Sequence, residues 1–146
     1  MKNILIITLI FAIFSCGKKE EPAPVIVPLS IKIKKVWTPE TVKESGTLVY
    51  TKGVTGNTKA GYSQFKLDLS NATAVTLTEL DGNSFTGTWE LQNDTKLVLK
   101  NLNPVPTSTT GTIEFTVNSA SETILNISRT SQNPKTGNTL NDYLLK

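Results

Sequence analysis

The chain lacks histidine altogether and contains a single cysteine in 146 residues. Imidazole and thiolate groups supply most protein bases, nucleophiles and transition-metal ligands, so their scarcity excludes most metal sites and histidine-activated nucleophiles. One cysteine also excludes a disulfide within the chain. Glu79, Glu90 and Glu114 are predicted to point outward on separate strands, and no two of them form an acid–base pair. We therefore predict a protein that is not an enzyme and uses no metal or cofactor.

Neither sign of charge is in large excess. The chain has 15 Lys and Arg against 12 Asp and Glu, and these charges are dispersed along it. Nucleic acid binding needs clustered cations that displace counterions from phosphates. We therefore expect no nucleic acid partner, and the length fits one domain with a single core.

The N-terminus carries the most specific signal. Lys2 is followed by an apolar run, residues 4–14, that is interrupted only by Thr8 and is shorter than the roughly 20 residues of a transmembrane helix. The run ends in Ile13, Phe14, Ser15 and Cys16, which resembles the lipobox of bacterial lipoproteins. That resemblance implies cleavage after residue 15 and a diacylglycerol on Cys16. The alternative is an ordinary secretory signal with an incidental cysteine.

The lipobox resemblance also implies a location and a partner. Two or three acyl chains hold a small domain at a lipid bilayer. We expect a lipid-anchored protein of the bacterial cell envelope, at the outer membrane, on either its periplasmic or its surface face. Residues 16–30 are predicted to be a flexible linker, since residues 17–24 combine alternating charges with proline and have no apolar period.

From residue 31 onward the apolar residues recur at every second position, which is the period of β-strands. Threonine, valine and isoleucine are abundant, and no helical stripe is present. Residues 31–146 are therefore predicted to form one all-β domain. Its eight predicted segments are 31–50 (bent or broken at Pro39), 63–69, 73–79, 83–92, 96–100, 111–118, 122–130 and 139–145.

Turn chemistry predicts the register of two hairpins. A three-residue loop of Leu80, Asp81 and Gly82 places glycine where a left-handed residue is required and sets Leu77 opposite Phe85. A turn at residues 93–95 sets Leu91 opposite Leu97 and Trp89 opposite Leu99. These apolar cross-strand pairs stabilise the sheet.

The connections alternate in length, which predicts an up-and-down arrangement. Long links near 51–62, 101–110 and 131–138 alternate with short links near 70–72, 93–95 and 119–121, so one end of the sheet carries most of the long loops. An eight-stranded antiparallel sheet usually closes to remove its edges. We predict an eight-stranded up-and-down barrel.

The domain resembles the bacterial lipocalin-like lipoproteins. The matching features are the lipobox, the early Trp37, the stretch 87–91 with sequence GTWEL, and the stretch 96–99 with sequence KLVL. The resemblance implies a calycin-type barrel that holds a small apolar molecule. It also implies packing of the early tryptophan against a basic residue of a late strand. This chain departs from the pattern because no glycine lies two residues before Trp37.

Four residues are candidates for ligand contact. Arg129 follows Leu125 and Ile127 on the inward face, where an unpaired charge is costly, so it either reaches water at the rim or anchors a carboxylate or polar head group. Tyr50, Tyr62 and Phe85 are expected near the same rim, either as ligand contacts or as edge packing. Trp37 and Trp89 are interpreted as core.

Two function classes remain. The leading interpretation is a tethered barrel that binds a small hydrophobic or amphipathic ligand at the long-loop end. The alternative is an envelope or cell-surface module with a filled barrel, which contacts a protein partner or serves a structural role.

Overall fold

The computed structural model describes residues 26–146, so the predicted signal, Cys16 and most of the predicted linker lie outside the described residues. None of the helices formed by residues 26–146 has the length and apolar character needed to cross a bilayer. One helical turn, two short 3₁₀ segments and ten strands make up this part of the chain. They are α1 (Leu29–Lys32), β1 (Val36–Trp37), β2 (Pro39–Glu44), β3 (Thr47–Thr51), a first 3₁₀ segment (Ala60–Gln64), β4 (Lys66–Asp68), β5 (Ala74–Thr78), β6 (Ser84–Gln92), β7 (Lys96–Asn103), β8 (Ile113–Ala120), β9 (Leu125–Arg129), a second 3₁₀ segment (Pro134–Thr136) and β10 (Asn141–Leu145).

The strands form one antiparallel sheet that curls into a half-barrel, so the predicted all-β class is confirmed. Strands β4 to β10 form a meander in which each strand pairs with the next. The β2–β3 hairpin continues the sheet from β10, whereas β1 pairs with β4 at the opposite edge. Only Thr38 lies between β1 and β2, and its backbone exchanges two hydrogen bonds of 2.9 Å with Lys146.

The predicted break of the first segment, 31–50, at Pro39 is confirmed, because β2 begins there, but the prediction is wrong at both ends of the segment. Its start is helical because the backbone N–H groups of Ile31 and Lys32 both donate to the Pro28 carbonyl, and its end turns back at Ser45 and Gly46, which have positive φ angles. The segment therefore contains part of α1, all of β1 and β2, and β3 up to Tyr50. This is why the sheet has ten strands where eight segments were predicted.

The predicted hairpin registers are confirmed. Leu77 pairs with Phe85, Trp89 with Leu99, and Leu91 with Leu97. Gly82 has a φ of 80°, as the three-residue loop requires. Alternation of polar and apolar residues therefore correctly predicted which faces of these strands are buried.

The ends of the sheet differ in their connections. Links 79–83, 104–112 and 130–140 lie at one end, which we call the long-loop end, and the short links after β4, β6 and β8 lie at the other. The first 3₁₀ segment covers the long-loop end, where Gly61 packs so closely that a Cβ would lie 2.5 Å from the Leu80 carbonyl oxygen. At the opposite end the indole Nε1 of Trp37 donates to the carbonyl of Ile33 at 2.9 Å.

Buried side chains line the inside of the curl. Trp37 and Trp89 are both buried, which confirms their interpretation as core. Aromatic rings continue the packing toward the long-loop end, where Phe65 stacks on Tyr143 with ring centroids 4.7 Å apart. The largest fully buried side chains come from seven of the thirteen elements and from the residues just after α1 and β4: Ile33, Trp37, Tyr62, Leu67, Leu69, Leu77, Leu97, Leu99, Leu102, Ile113, Phe115 and Leu125.

Candidate functional site

Arg129 lies at the long-loop end of the sheet, where it is buried rather than exposed to water. Its side chain is 3% exposed, and Nη1 lies 3.4 Å from Oε1 of Glu79, whose side chain is 5% exposed. The prediction that Arg129 reaches water at the rim is therefore wrong. The cause is the alternation of β9, which buries Arg129 along with Leu125 and Ile127. A carboxylate does face the guanidinium, as a buried charge requires, but it belongs to the chain itself.

Glu79 was predicted to point outward, and this is wrong. It follows β5 in the same alternation as Val75 and Leu77, which are buried, so its side chain enters the interior. The backbone N–H of Glu79 donates to Asn83 across the tight turn at 2.9 Å, which continues the strand pairing past the end of β5.

Two more charged residues extend this pair. Lys135, in the second 3₁₀ segment, places Nζ 2.6 Å from Glu79 Oε2 and 2.8 Å from Asp81 Oδ2. The same ammonium lies 5.0 Å from the ring centroid of Phe85, within range of a cation–π contact. We call Glu79, Asp81, Arg129 and Lys135 the ion cluster. Its two cations and two anions balance, so the cluster is neutral.

The ion cluster shifts the pKa values of two members in opposite directions. Burial lowers the pKa of Lys135, but hydrogen bonding and attraction to Asp81 and Glu79 outweigh burial and leave it raised. Burial raises the pKa of Asp81, yet hydrogen bonds to Lys135 and Asn83 leave it lowered. Both shifts favour the charged forms, so the cluster ties the 130–140 loop to the turn after β5.

Tyr62 is buried beside a second polar network. Its hydroxyl donates to Glu44 Oε1 at 2.9 Å and accepts from Asn141 Nδ2 at 2.6 Å. Burial raises the pKa of Tyr62, and nearby Tyr143 and Glu44 add to the effect. The ring centroids of Tyr50 and Tyr143 each lie 6.2 Å from that of Tyr62. Tyr62 therefore links the first 3₁₀ segment to β2 and β10.

The four predicted contact residues are all buried, with exposures of 6% for Tyr50, 0% for Tyr62, 4% for Phe85 and 4% for Arg129. The structure brings Tyr50 and Tyr62 together. Phe85 contacts Lys135, and Lys135 shares its partner, Glu79, with Arg129. Sequence reasoning missed Glu79, Asp81 and Lys135 as members of a site. The alternation of β5 was a usable signal for Glu79, whereas no local pattern marked Lys135.

The tryptophan pairing implied by the lipocalin resemblance takes a different form here. The cation over the Trp37 ring is Lys35, with Nζ 4.5 Å from the ring centroid. Arg129, the basic residue of a late strand, pairs with Glu79 instead.

Two surface pockets accompany these buried groups. One, of about 400 Å³, opens beside Tyr50 and is lined by the 53–57 loop, Ala60 and Ser63. The other, also about 400 Å³, lies on the polar outer side of β2, β8, β9 and β10. Both volumes fall within the usual range for small-molecule sites, roughly 300–1,000 Å³.

Comparisons of the chain with protein-family models, with curated proteins and with solved structures found no match. The protein is therefore described by its fold and contacts alone, as a curled antiparallel sheet with a neutral ion cluster at its long-loop end.

Proposed function

We propose that the protein is a lipid-anchored module of the bacterial cell envelope whose interior is solid and whose outer surface contacts its partner. The observation that carries this proposal is the internal pairing of Arg129. The one cation that points into the sheet from β9 already has a carboxylate, Glu79, as its partner. A ligand head group that approached Arg129 would meet a cation whose charge Glu79 already balances, so it would gain less attraction than at an unpaired cation.

The proposed fold is a closed barrel of the lipocalin-like type. Strands β1 and β2 act as one bent strand, because β1 pairs with β4 and β2 with β10 while a single residue separates them. With β4 to β10 this strand makes an eight-stranded up-and-down barrel, and β3 is an additional strand beside β2. The first 3₁₀ segment covers one end, and Ile33 and Trp37 fill the other.

Attachment through Cys16 is proposed from the lipobox. A Cys16→Ala variant is expected to lose labelling by a clickable fatty acid in cells and to leave the membrane fraction, whereas a Ser15→Ala variant keeps a small residue before the cysteine and should retain both. Persistent labelling of Cys16→Ala would rule out this anchor.

A small apolar ligand remains the second candidate. The pocket beside Tyr50 favours it, because this pocket has an adequate volume and reaches a ring that contacts Tyr62. Such a ligand would sit at the side of the sheet and leave the ion cluster intact.

Site-specific photo-crosslinking in cells tests the outer-surface proposal. A photoreactive residue replaces one exposed side chain at a time: Val105 in the 104–112 loop, Lys43 on β2, or Thr86 on β6. We expect discrete crosslinked products from one region of the surface and none from the others. The absence of products at every position would contradict the proposal.

A further inference from the structure

The outer face of β8, β9, β10 and β2 carries the polar pocket of about 400 Å³. Its lining is mainly polar and includes Thr41, Lys43, Asn118, Asn126, Asp142 and Leu144. These residues come from four neighbouring strands, so a rigid sheet positions them. We call this surface the polar pocket.

A β-bulge brings Asn118 into the pocket. Val117 pairs with Ile127 and Ser119 pairs with Asn126, so Asn118 is an extra residue in β8. Bulges redirect a side chain and often occur beside binding sites. The Asn118 amide Nδ2 lies 2.8 Å from the hydroxyl oxygen of Ser128, to which it donates.

Hydrogen bonds continue from there across the next strand. The Ser128 hydroxyl donates to Asp142 Oδ1 at 2.5 Å. Side-chain hydrogen bonds therefore connect β8, β9 and β10 in addition to their backbone pairing. Asn118 Nδ2 also lies 3.4 Å from Asn126 Oδ1. Side chains that hold one another in this way need little further ordering when a ligand binds, which favours affinity.

The charge of the polar pocket selects against ionic ligands. Lys43 and Asp142 are direct partners in the β2–β10 ladder, so one cation and one anion lie side by side. A charged ligand would gain attraction from one of them and repulsion from the other. A neutral ligand with both donors and acceptors matches the pair and the neighbouring amides.

The sheet itself argues against an extended peptide. Peptides bind sheets by adding a strand to an unpaired edge. Here β2, β8, β9 and β10 each have a paired strand on both sides, so none has a free edge. The ligand must therefore use side-chain contacts across the face.

From these observations we infer that the polar pocket binds a neutral glycan. Sugar hydroxyls donate and accept together, so they suit the Asp142 carboxylate, the Asn126 and Asn118 amides and the Thr41 hydroxyl. Leu144 supplies an apolar contact for the C–H face of a sugar ring. The inference rests on the proposed outer-surface function and names the chemical class of the partner.

The test measures binding of neutral oligosaccharides to the full chain in detergent. The probes are an array of neutral oligomers of glucose, mannose, galactose and N-acetylhexosamine. The best binder is then measured by saturation-transfer NMR, and trigalacturonate is the charged comparison. We expect saturable binding of a neutral oligomer and none of trigalacturonate.

Two variants locate the site. Asp142→Asn keeps the shape but exchanges an acceptor oxygen for a donor, and it should weaken binding about tenfold, as expected for loss of one hydrogen bond to a charged group. Thr41→Phe should fill the pocket and abolish binding. The matched control, Thr76→Phe on β5, changes the same residue type at a half-buried position elsewhere and should bind normally.

Three outcomes overturn the inference: no neutral oligomer binds, only the charged sugar binds, or binding survives both Asp142→Asn and Thr41→Phe. Should Thr41→Phe fail to fold, Asp142→Asn alone decides. The proposed outer-surface function is tested separately. If crosslinks form in cells but no glycan binds, the glycan inference is wrong and the outer-surface function is retained. An apolar molecule found inside the barrel would refute the outer-surface function, whatever the glycan result.

Discussion

Arg129 Nη1 and Glu79 Oε1 lie 3.4 Å apart with both side chains almost fully buried. The two residues are 50 positions apart in sequence and come from opposite parts of the meander. Their pairing balances the charge that was predicted to anchor a carboxylate or a polar head group.

Removing Glu79 should destabilise the fold more than removing Arg129. Glu79→Ala leaves the Arg129 guanidinium buried without its carboxylate, and breaking a buried pair in this way costs about 3–5 kcal/mol. Arg129→Met costs less, because Glu79 still contacts Lys135 at 2.6 Å. Urea denaturation gives both free energies of unfolding.

The control for that pair is Lys100→Met. Its ion pair with Glu90 has side chains 42% exposed on both partners, so the loss should stay below about 1 kcal/mol. Equal losses for Glu79→Ala and Arg129→Met would contradict the predicted difference, which depends on Lys135 compensating Glu79 when Arg129 is removed.

Lys135 and Asp81 should make stability depend on pH at both extremes. The pKa of Lys135 is raised in the folded state, so its contribution is complete below about pH 10.4, the unfolded value, and is lost as the pH rises through the folded pKa. The pKa of Asp81 is lowered, so its contribution is present above about pH 3.9 and is lost as the pH falls through the folded pKa.

Denaturation across the pH range checks both arms. The stability difference between the wild type and Lys135→Met should be constant at neutral pH and shrink at each extreme. Lys96→Met, which removes an exposed pair with Glu114, is the control and should show a small difference. A Lys135→Met difference that never changes with pH would contradict the ion cluster.

Tyr62 and Tyr143 should stay protonated until the chain unfolds. Burial raises the pKa of each phenol, whereas an unfolded tyrosine ionises near pH 10. The unfolded state therefore binds fewer protons above about pH 10, and stability falls as the pH rises. Phenolate absorbance and near-ultraviolet circular dichroism, followed in one alkaline titration, should show these two tyrosines ionising together with unfolding. Ionisation of all three tyrosines in a folded chain would disprove this.

Gly87 should resist any added side chain. A Cβ at this position would meet the Lys100 carbonyl oxygen and lie 3.1 Å from Leu102 Cδ2, so the paired strand would have to move. We expect Gly87→Ala to cost about 1–3 kcal/mol, in the range of overpacked cores. Gly46→Ala is the comparison, because Gly46 has a φ of 82° and open space around it, so only the backbone strain of about 1 kcal/mol remains. Thermal unfolding that ranks Gly46→Ala as the worse variant would contradict the close approach.

The sequence predicted most of the sheet because strand alternation and turn glycines are local signals. The alternation required a loop with an odd number of residues, and Gly82 then identified the three-residue loop that aligns Leu77 with Phe85. The break-up of 31–50 was harder to predict, since the helical turn depends on the Pro28 carbonyl and the hairpin on positive φ at Ser45, a residue with no strong preference for that conformation.

The buried site was only partly predictable. Arg129 was correctly placed on the inward face, but its partner was assigned to the wrong face, although the alternation of β5 extends to Glu79. The position of Lys135 depends on how the 130–140 loop folds over the end of the sheet. That is a tertiary contact, and no pattern in the local sequence encodes it.

Native mass spectrometry of the full protein, purified gently from cells, tests the solid interior most directly. We predict that the mass equals that of the polypeptide with its lipid anchor, and that a fluorescent fatty acid shows no saturable binding to the wild type. A stoichiometric non-covalent apolar molecule, lost in an Arg129→Met variant that remains folded, would contradict it.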